Sequence, residues 1–329
     1  MKKIISLILT LTLCLGMTIT LVSCKQEKAD FTVGIAQIAP HEALDAATQG
    51  FKDALTEELA KAGKTVKFKE QNAGGEISAC SSIVGAFVSS NVDLILANAT
   101  PVLQAASKAT TTIPILGTSV TEYGVALGIA NFSGTVGTNV SGTSDLAPLD
   151  QQAQMMIDTL GLGNGSRVGL LYCSAEPNSN YQIDVVEAYL QSKNITTVRY
   201  AFSDSNDLIS VATNAANAGL SAIYVPTDNT AADNASVIKN ATLAKNVPVF
   251  TGEEGICKGC GYATLSIDYY SLGRKTGEMA AKILLNQAHI EDMAIEYDAA
   301  PTKKYNREIC QQLGIDTAAL EALGYVAID

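Results

Sequence analysis

The chain has 329 residues, 47% of them hydrophobic and 17% charged, with 22 Lys plus Arg against 33 Asp plus Glu. That length and apolar content suffice for two domains with buried cores and argue against disorder. A formal net charge of −11, without blocks of basic residues, argues against the phosphate-neutralising surface that nucleic-acid binding requires.

Residues 1–23 differ in kind from the rest of the chain. Met1-Lys2-Lys3 is basic, Ile4 to Val22 is apolar apart from scattered Ser, Thr and Gly, and polar Lys25 to Lys28 comes after Ser23-Cys24. This is the order of a secretory signal peptide. Leu21-Val22-Ser23-Cys24 resembles the bacterial lipobox, whose Cys is acylated and becomes the mature N-terminus. The alternative is an uncleaved membrane anchor; both hold a soluble body outside the cell, on a tether at 24–29. Cleavage removes Lys2 and Lys3 and no acid, leaving 20 basic against 33 acidic residues, or −13.

From residue 31 short apolar strands alternate with amphipathic helices. Strands are expected at 31–37, 65–70, 93–97, 113–116 and 126–130, and helices at 41–62, 77–88 and from Thr100, with Pro101 at its first turn. A Gly/Ser/Thr-rich stretch, Ser133 to Ser144, reads as a linker. The pattern then restarts, with helices at 149–160, 179–192, 206–218 and 230–245 and strands at 167–172, 195–202, 221–225 and 247–251. Two runs of βα units predict an α/β protein with two Rossmann-like lobes, each built on a parallel sheet.

Open parallel sheets place ligands beyond the carboxyl ends of their strands. In the first run those ends carry Gln37, Ile38 and His41, then Asn98, Ala99 and Thr100, then Thr118, Ser119 and Thr121. In the second run they carry Ser174, Glu176, Asn178 and Ser179, then Thr227, Asp228 and Asn229, then Glu253 and Glu254. Each Ser, Thr or Asp could be a helix cap alone. Several on two facing rims favour a ligand. A free amino acid fits them: helix N-termini and hydroxyls suit its carboxylate, and Glu176, Asp228 or Asp268 its ammonium.

The patterns of catalysis are missing. There is no GxSxG elbow and no GxxxxGK[ST], and Gly161 to Gly165 precedes a strand instead of opening a helix. His41 and His289 offer no metal constellation. Cys257-Lys258-Gly259-Cys260 is compatible with a redox pair, half a metal site or a local disulfide, but no second CxxC exists and no metal or other cofactor is expected.

Six segments carry a family resemblance. They are His41-Glu-Ala-Leu-Asp45, with Glu42 where the family has Pro, Asn139 to Asp145, Ser174 to Ser179, Pro226 to Asn229, Ala263-Thr264, and Asp268-Tyr-Tyr-Ser-Leu-Gly273. Together they resemble the substrate-binding lipoproteins of ABC importers, in the group whose members bind tryptophan or tyrosine. The CxxC and Ser266, where Gly is usual, depart from the pattern. The resemblance implies a type I periplasmic binding protein, a Venus flytrap with a three-stranded hinge. Its N-terminal lobe would be residues 30–142 plus 268–290, and its C-terminal lobe 143–267 plus 291–329.

The resemblance also implies a function without enzymatic activity. The chain would be a monomeric, lipid-anchored receptor on the extracellular face of the membrane, held through Cys24. It would bind an amino acid, with tyrosine or tryptophan foremost, in the cleft and deliver it to an ABC permease. The expected ligand set is Gln37, Asn98, Ala99, Thr100, Thr118, Ser119, Ser174, Glu176, Asn178, Ser179, Asp228, Asn229, Glu253 and Asp268. Ring partners are available in Phe87, Tyr123, Tyr172, Tyr181, Tyr262 and Tyr269, and the chain has no Trp. The alternatives are a surface adhesin on the same fold or a binder of another small solute, such as a branched amino acid or a nucleoside.

Overall fold

Apolar strands flanked by helices on both sides read as near-continuous hydrophobic runs, because both faces are covered. The computed structural model, which describes residues 29–297 and 300–328, obeys that rule. The expected signal peptide and lipid-anchor position, residues 1–23 and Cys24, lie outside the described residues. β1 (Phe31–Gln37), β2 (Val66–Asn72), β3 (Leu94–Asn98), β4 (Ile115–Val120), β5 (Val140–Ser144) and β11 (Glu296–Tyr297) form a parallel sheet ordered β11-β5-β4-β3-β1-β2.

The second sheet holds β6 (Arg167–Cys173), β7 (Thr196–Phe202), β8 (Ala222–Val225), β9 (Val249–Thr251), β10 (Ala263–Ser266), β12 (Thr302–Tyr305) and β13 (Val326–Ala327). Its order is β13-β12-β10-β9-β8-β6-β7, parallel except where β10 meets β12. The two-lobed α/β architecture expected from the βα repeats is therefore present.

Each sheet is sandwiched by helices. In the first lobe α1 (Glu42–Lys61) buries Phe51, Leu55 and Leu59 against Val33, Leu94 and Leu116. On the opposite face α2 (Ile77–Ser89) and α3 (Thr100–Ala109) bury Val84, Phe87, Val102 and Leu103 against Ile95 and Ile115. Short α4 (Tyr123–Leu127) comes after β4. The second lobe carries α5 (Leu149–Leu160), α6 (Pro177–Ser192), α7 (Ser205–Ala216), α8 (Asn229–Asp233), α9 (Ala235–Leu243) and α10 (Glu254–Cys260). Then α11 (Tyr269–Leu284) returns to the first lobe and packs its Met279, Ala280 and Leu284 into the same cluster as Phe51 and Leu55. α12 (Arg307–Leu313) and α13 (Thr317–Ala322) close the chain.

The chain crosses between the sheets after β5, after β10, and between β11 and β12. At the first two crossings Ala147, Ile267, Tyr269 and Leu272 cluster with Ala43 and Ala47 of α1. β5 runs to Ser144 and β11 joins the first sheet, so that sheet includes residues beyond the expected lobe boundaries at 142 and 290.

Three local expectations differ from the structure. Residues 126–130 are not a strand. Glu122 accepts hydrogen bonds from Gly124 and Val125 N–H and caps α4, and Gly128 ends it in the left-handed region at φ +68°. The Ser133–Ser144 stretch is a linker only in part, because β5 occupies its end. This strand has little hydrocarbon, but its hydroxyls are satisfied: Ser141 donates to the Met293 carbonyl, Thr143 to Thr118 Oγ1 and Ser144 to the Thr121 carbonyl. The helix expected over 230–245 is two, α8 and α9, joined at Asn234.

Candidate ligand-binding site between the lobes

The carboxyl ends of the two sheets face each other, and the helices that begin there present their N-termini to one gap. From the first lobe His41, Leu44, Ser119, Thr121 and Tyr269 line it, with Asp145 of the first crossing. From the second come Asn178, Thr227, Asp228, Asn229, Ala232 and Glu253. The gap measures about 10 Å³, room for roughly one water molecule. A ligand as large as an amino acid therefore enters only when the lobes part.

Local irregularity aims the first lobe's side chains. The register of β4 against β5 shifts between Gly117 and Val120, and Ser119 sits at φ +53°. Gly142 of β5 is at φ +141°, and a Cβ there would lie 2.0 Å from the Gly117 carbonyl oxygen, so the distortion requires glycine at that point. Bulges re-aim side chains beside functional sites, and here the outcome is a buried Ser119 hydroxyl with no hydrogen-bond partner. Ala99, at φ +94°, is a second strained position at a strand end.

Buried polar atoms are rarely left unpaired, because each costs about 1–3 kcal/mol. Among the described residues, Ser119 Oγ, Asp145 Oδ1 and Asn178 Oδ1 belong to residues that line the gap and are buried without a partner, as are Asn98 Oδ1 and Thr100 Oγ1 at the end of β3. Such a concentration marks a surface prepared to bond something else.

Three carboxyls meet the gap. Asp228 caps α8, accepting from Ala231 N–H at 2.8 Å, and its other oxygen accepts from Cys173 N–H at 2.6 Å and the Ser179 hydroxyl at 2.8 Å. Burial, and next the charge of Glu176, holds its carboxyl above the usual range. Glu253 caps α10 by accepting from the N–H groups of Gly255 and Ile256, and burial pushes it up to about 7. Asp145 accepts the Tyr269 hydroxyl at 2.9 Å, and burial raises it as well. His41 faces them, and burial lowers its affinity for a proton. His41 also joins the lobes: its Nε2 lies 3.3 Å from Asn229 Oδ1. Outside the gap Lys258 Nζ spans from α10 to Glu42 of α1, at 3.1 Å.

Of the residues expected to bind ligand, Ser119, Asn178, Asp228, Asn229 and Glu253 line the gap. Others lie beneath it and hold the walls. Gln37 donates to Asp45 and to the Ala39 carbonyl, and its oxygen accepts from Thr48. Asn98 donates to the Leu44 carbonyl and to Thr48, Thr118 accepts from Thr143, and Ala99 N–H donates to the Thr118 carbonyl. Thr100 begins α3 behind them.

Glu176 does not face the gap as a free anion. Its oxygens accept from the N–H groups and the side chains of both Asn229 and Thr230. Ser179 is spent on Asp228. Ser174 is exposed and donates to the Phe202 carbonyl. Asp268 caps α11 at the hinge and borders a separate hollow with Tyr270 and Lys304.

The expected ligand set omits Asp145 and Tyr269, which the structure brings into the gap. Asp145 could have been found from its place at the lobe crossing. Tyr269 is the one ring among the expected partners that lines the gap; Phe87, Tyr123, Tyr172 and Tyr262 lie in the cores and Tyr181 is half-buried on α6. Cys257 and Cys260 are buried free thiols. Among the described residues no three His, Cys, Asp or Glu gather as metal ligands, and no helix is long and apolar enough to cross a membrane.

Known proteins share this architecture. The chain is 33% identical over 297 residues, 86% of its length and 84% of the relative's, to a tyrosine-binding protein of Clostridioides difficile (strain R20291). An L-Trp complex of an ABC domain from Streptococcus pneumoniae superposes with a TM-score of 0.82 at 27% identity, covering 91% of this chain and 99% of that one. The ligand-free, open structure of a substrate-binding protein with adhesive properties from Clostridium difficile scores 0.67 at 32% identity, covering 91% and 100%. The L-Trp complex superposes better although the open structure is nearer in sequence. The family described as ABC transporter substrate binding protein matches residues 32–323. With two parallel-sheet lobes closing on a polar gap, this chain belongs to that family of non-enzymatic solute binders, which serve ABC permeases.

Proposed function

We propose that the chain is the receptor of an ABC importer for a free amino acid, with tyrosine or tryptophan as its ligand, bound between the lobes. The observation that carries this reading is the set of unpartnered buried atoms, Ser119 Oγ, Asp145 Oδ1 and Asn178 Oδ1, contributed from both sides of one gap. A hydroxyl can donate to a carboxylate, and two acceptors can take an ammonium. A zwitterion supplies both partners, and it favours the closed form because only that form engages both lobes. The tyrosine-binding relative and the L-Trp complex support an aromatic side chain.

In this reading the expected ligand residues that line the gap contact the solute, and those beneath it hold the contacting residues in place. The protein is a monomer held at the outer face of the cell membrane by acyl chains on Cys24, and it hands its ligand to the permease. The adhesive properties of the open neighbour favour a second reading, attachment to surfaces on the same fold. Thermal melting of residues 25–329 separates the two. Tyrosine or tryptophan at a hundredfold excess over Kd should stabilise the protein by about 2.7 kcal/mol. No shift with any of the twenty amino acids would remove the import reading and favour the second.

A further inference from the structure

The hydrogen bonds that already exist separate the three carboxyls of the gap. Asp228 accepts three donors and Glu253 two. Asp145 accepts the Tyr269 hydroxyl at Oδ2 and has the Thr121 hydroxyl beside its carboxyl, while no donor comes within hydrogen-bond distance of Oδ1 even though the residue is 3% exposed. On the opposite lobe Asn178 donates through Nδ2 to the Thr227 carbonyl at 3.0 Å and to Glu176, which leaves Oδ1 as a second buried acceptor without a partner. Neither Lys nor Arg lines the gap. A primary ammonium carries three donors and one positive charge, and it matches two acceptors of which one is a carboxylate.

We propose that Asp145 Oδ1 and Asn178 Oδ1 seat the ligand's ammonium, and that Tyr269 is the positioning residue that orients Asp145. This assignment rests on the amino-acid reading above. Asp145 begins the first crossing and Tyr269 stands directly after the second, so their hydrogen bond ties two hinge segments together. An ammonium shared with Asn178 then joins the hinge to the second lobe. The groups facing Asp145 are His41 from α1, Asp228 and Glu253 from the starts of α8 and α10, and the phenols of Tyr123 and Tyr269. Protonating Asp145 removes the partner of the ammonium, so affinity falls toward acid pH. Removing the Tyr269 donor disfavours the carboxylate and moves that loss to higher pH. The Tyr269 hydroxyl donates to Asp145 and not to His41, Asp228 or Glu253, so a shift of the midpoint on its removal reports Asp145.

The test is calorimetric titration of the mature protein, purified in detergent, with L-tyrosine and L-tryptophan and with their des-amino analogues 3-(4-hydroxyphenyl)propanoate and 3-(indol-3-yl)propanoate. The wild type should prefer the amino acid by ~30-fold or more, the scale of truncating one side of a buried charge pair. In Asp145→Asn the preference should fall below about 5-fold. Tyr269→Phe should weaken amino-acid binding about 3- to 10-fold at pH 8 and move the midpoint of the acid loss upward by about 0.5–1 pH unit. An undiminished preference in Asp145→Asn would overturn the seat. Weakening by Tyr269→Phe that is equal at every pH would reduce Tyr269 to a structural role and overturn its positioning of Asp145. Should Asp145→Asn fail to fold, the Tyr269→Phe pH profile decides alone. A wild type that binds no amino acid overturns the amino-acid reading and this assignment together.

Discussion

Glu253 is held by two effects of opposite sign. Its carboxylate caps α10 through two N–H groups, which favours the charged form, yet burial outweighs them and pushes the group up to about 7. The folded protein therefore keeps a proton that the unfolded chain gives up, and the contribution of Glu253 to stability falls as pH rises from about 4.5 to 7. Glu253→Gln cannot titrate. Relative to wild type it should gain roughly 2.5 kcal/mol between pH 5 and pH 8, read from urea midpoints at the two values. Parallel pH profiles would show that Glu253 is not held protonated. The same scale explains why Glu176 was legible as a cleft-side acid but not as a saturated one: besides Asn178 two positions on, four of its donors come from Asn229 and Thr230, 53 and 54 residues away.

At the level of elements, α1 and α11 meet through glycines. A Cβ on Gly273 would lie 1.9 Å from the Ala47 carbonyl oxygen, a backbone atom that cannot swing aside. Gly273→Ala should therefore destabilise the first lobe by about 1–3 kcal/mol or more, measured by thermal melting. Gly85 on α2 is the internal control, since nothing stands within 4 Å of its Cβ position; Gly85→Ala should raise stability by roughly 0.5–1 kcal/mol. Equal effects would contradict the close crossing. Long periodic elements such as 149–160 were readable, because amphipathic spacing repeats over several turns. Residues 126–130 were not: five mostly apolar residues suit a strand or a helix equally, and the Glu122 cap decided.

For the whole molecule the question is how two lobes hold together around so small a gap. The polar links across it, His41 to Asn229 and Lys258 to Glu42, are modest, and exposed ion pairs contribute little. Under the proposed function the lobes part about the three crossings, and a ligand that touches both shifts the balance toward closure. Small-angle scattering should show a smaller radius of gyration when tyrosine or tryptophan is added. An unchanged profile under saturating ligand would indicate a rigid pair of lobes and contradict hinge closure.

The sequence by itself determined the class of fold, the two runs of βα units and the polar rims at the strand ends, because these arise from hydrophobic period and from turn chemistry within a few residues. It also determined the three crossings, through the resemblance carried by Asn139 to Asp145 and Asp268 to Gly273. Only the tertiary structure decided which polar groups face the ligand gap and which are spent inside the walls. Asp145 and Tyr269 stand 124 residues apart yet share one hydrogen bond, and Glu176 is consumed by capping another helix. Whether a buried oxygen is free depends on partners brought together from distant segments, and no local pattern encodes that.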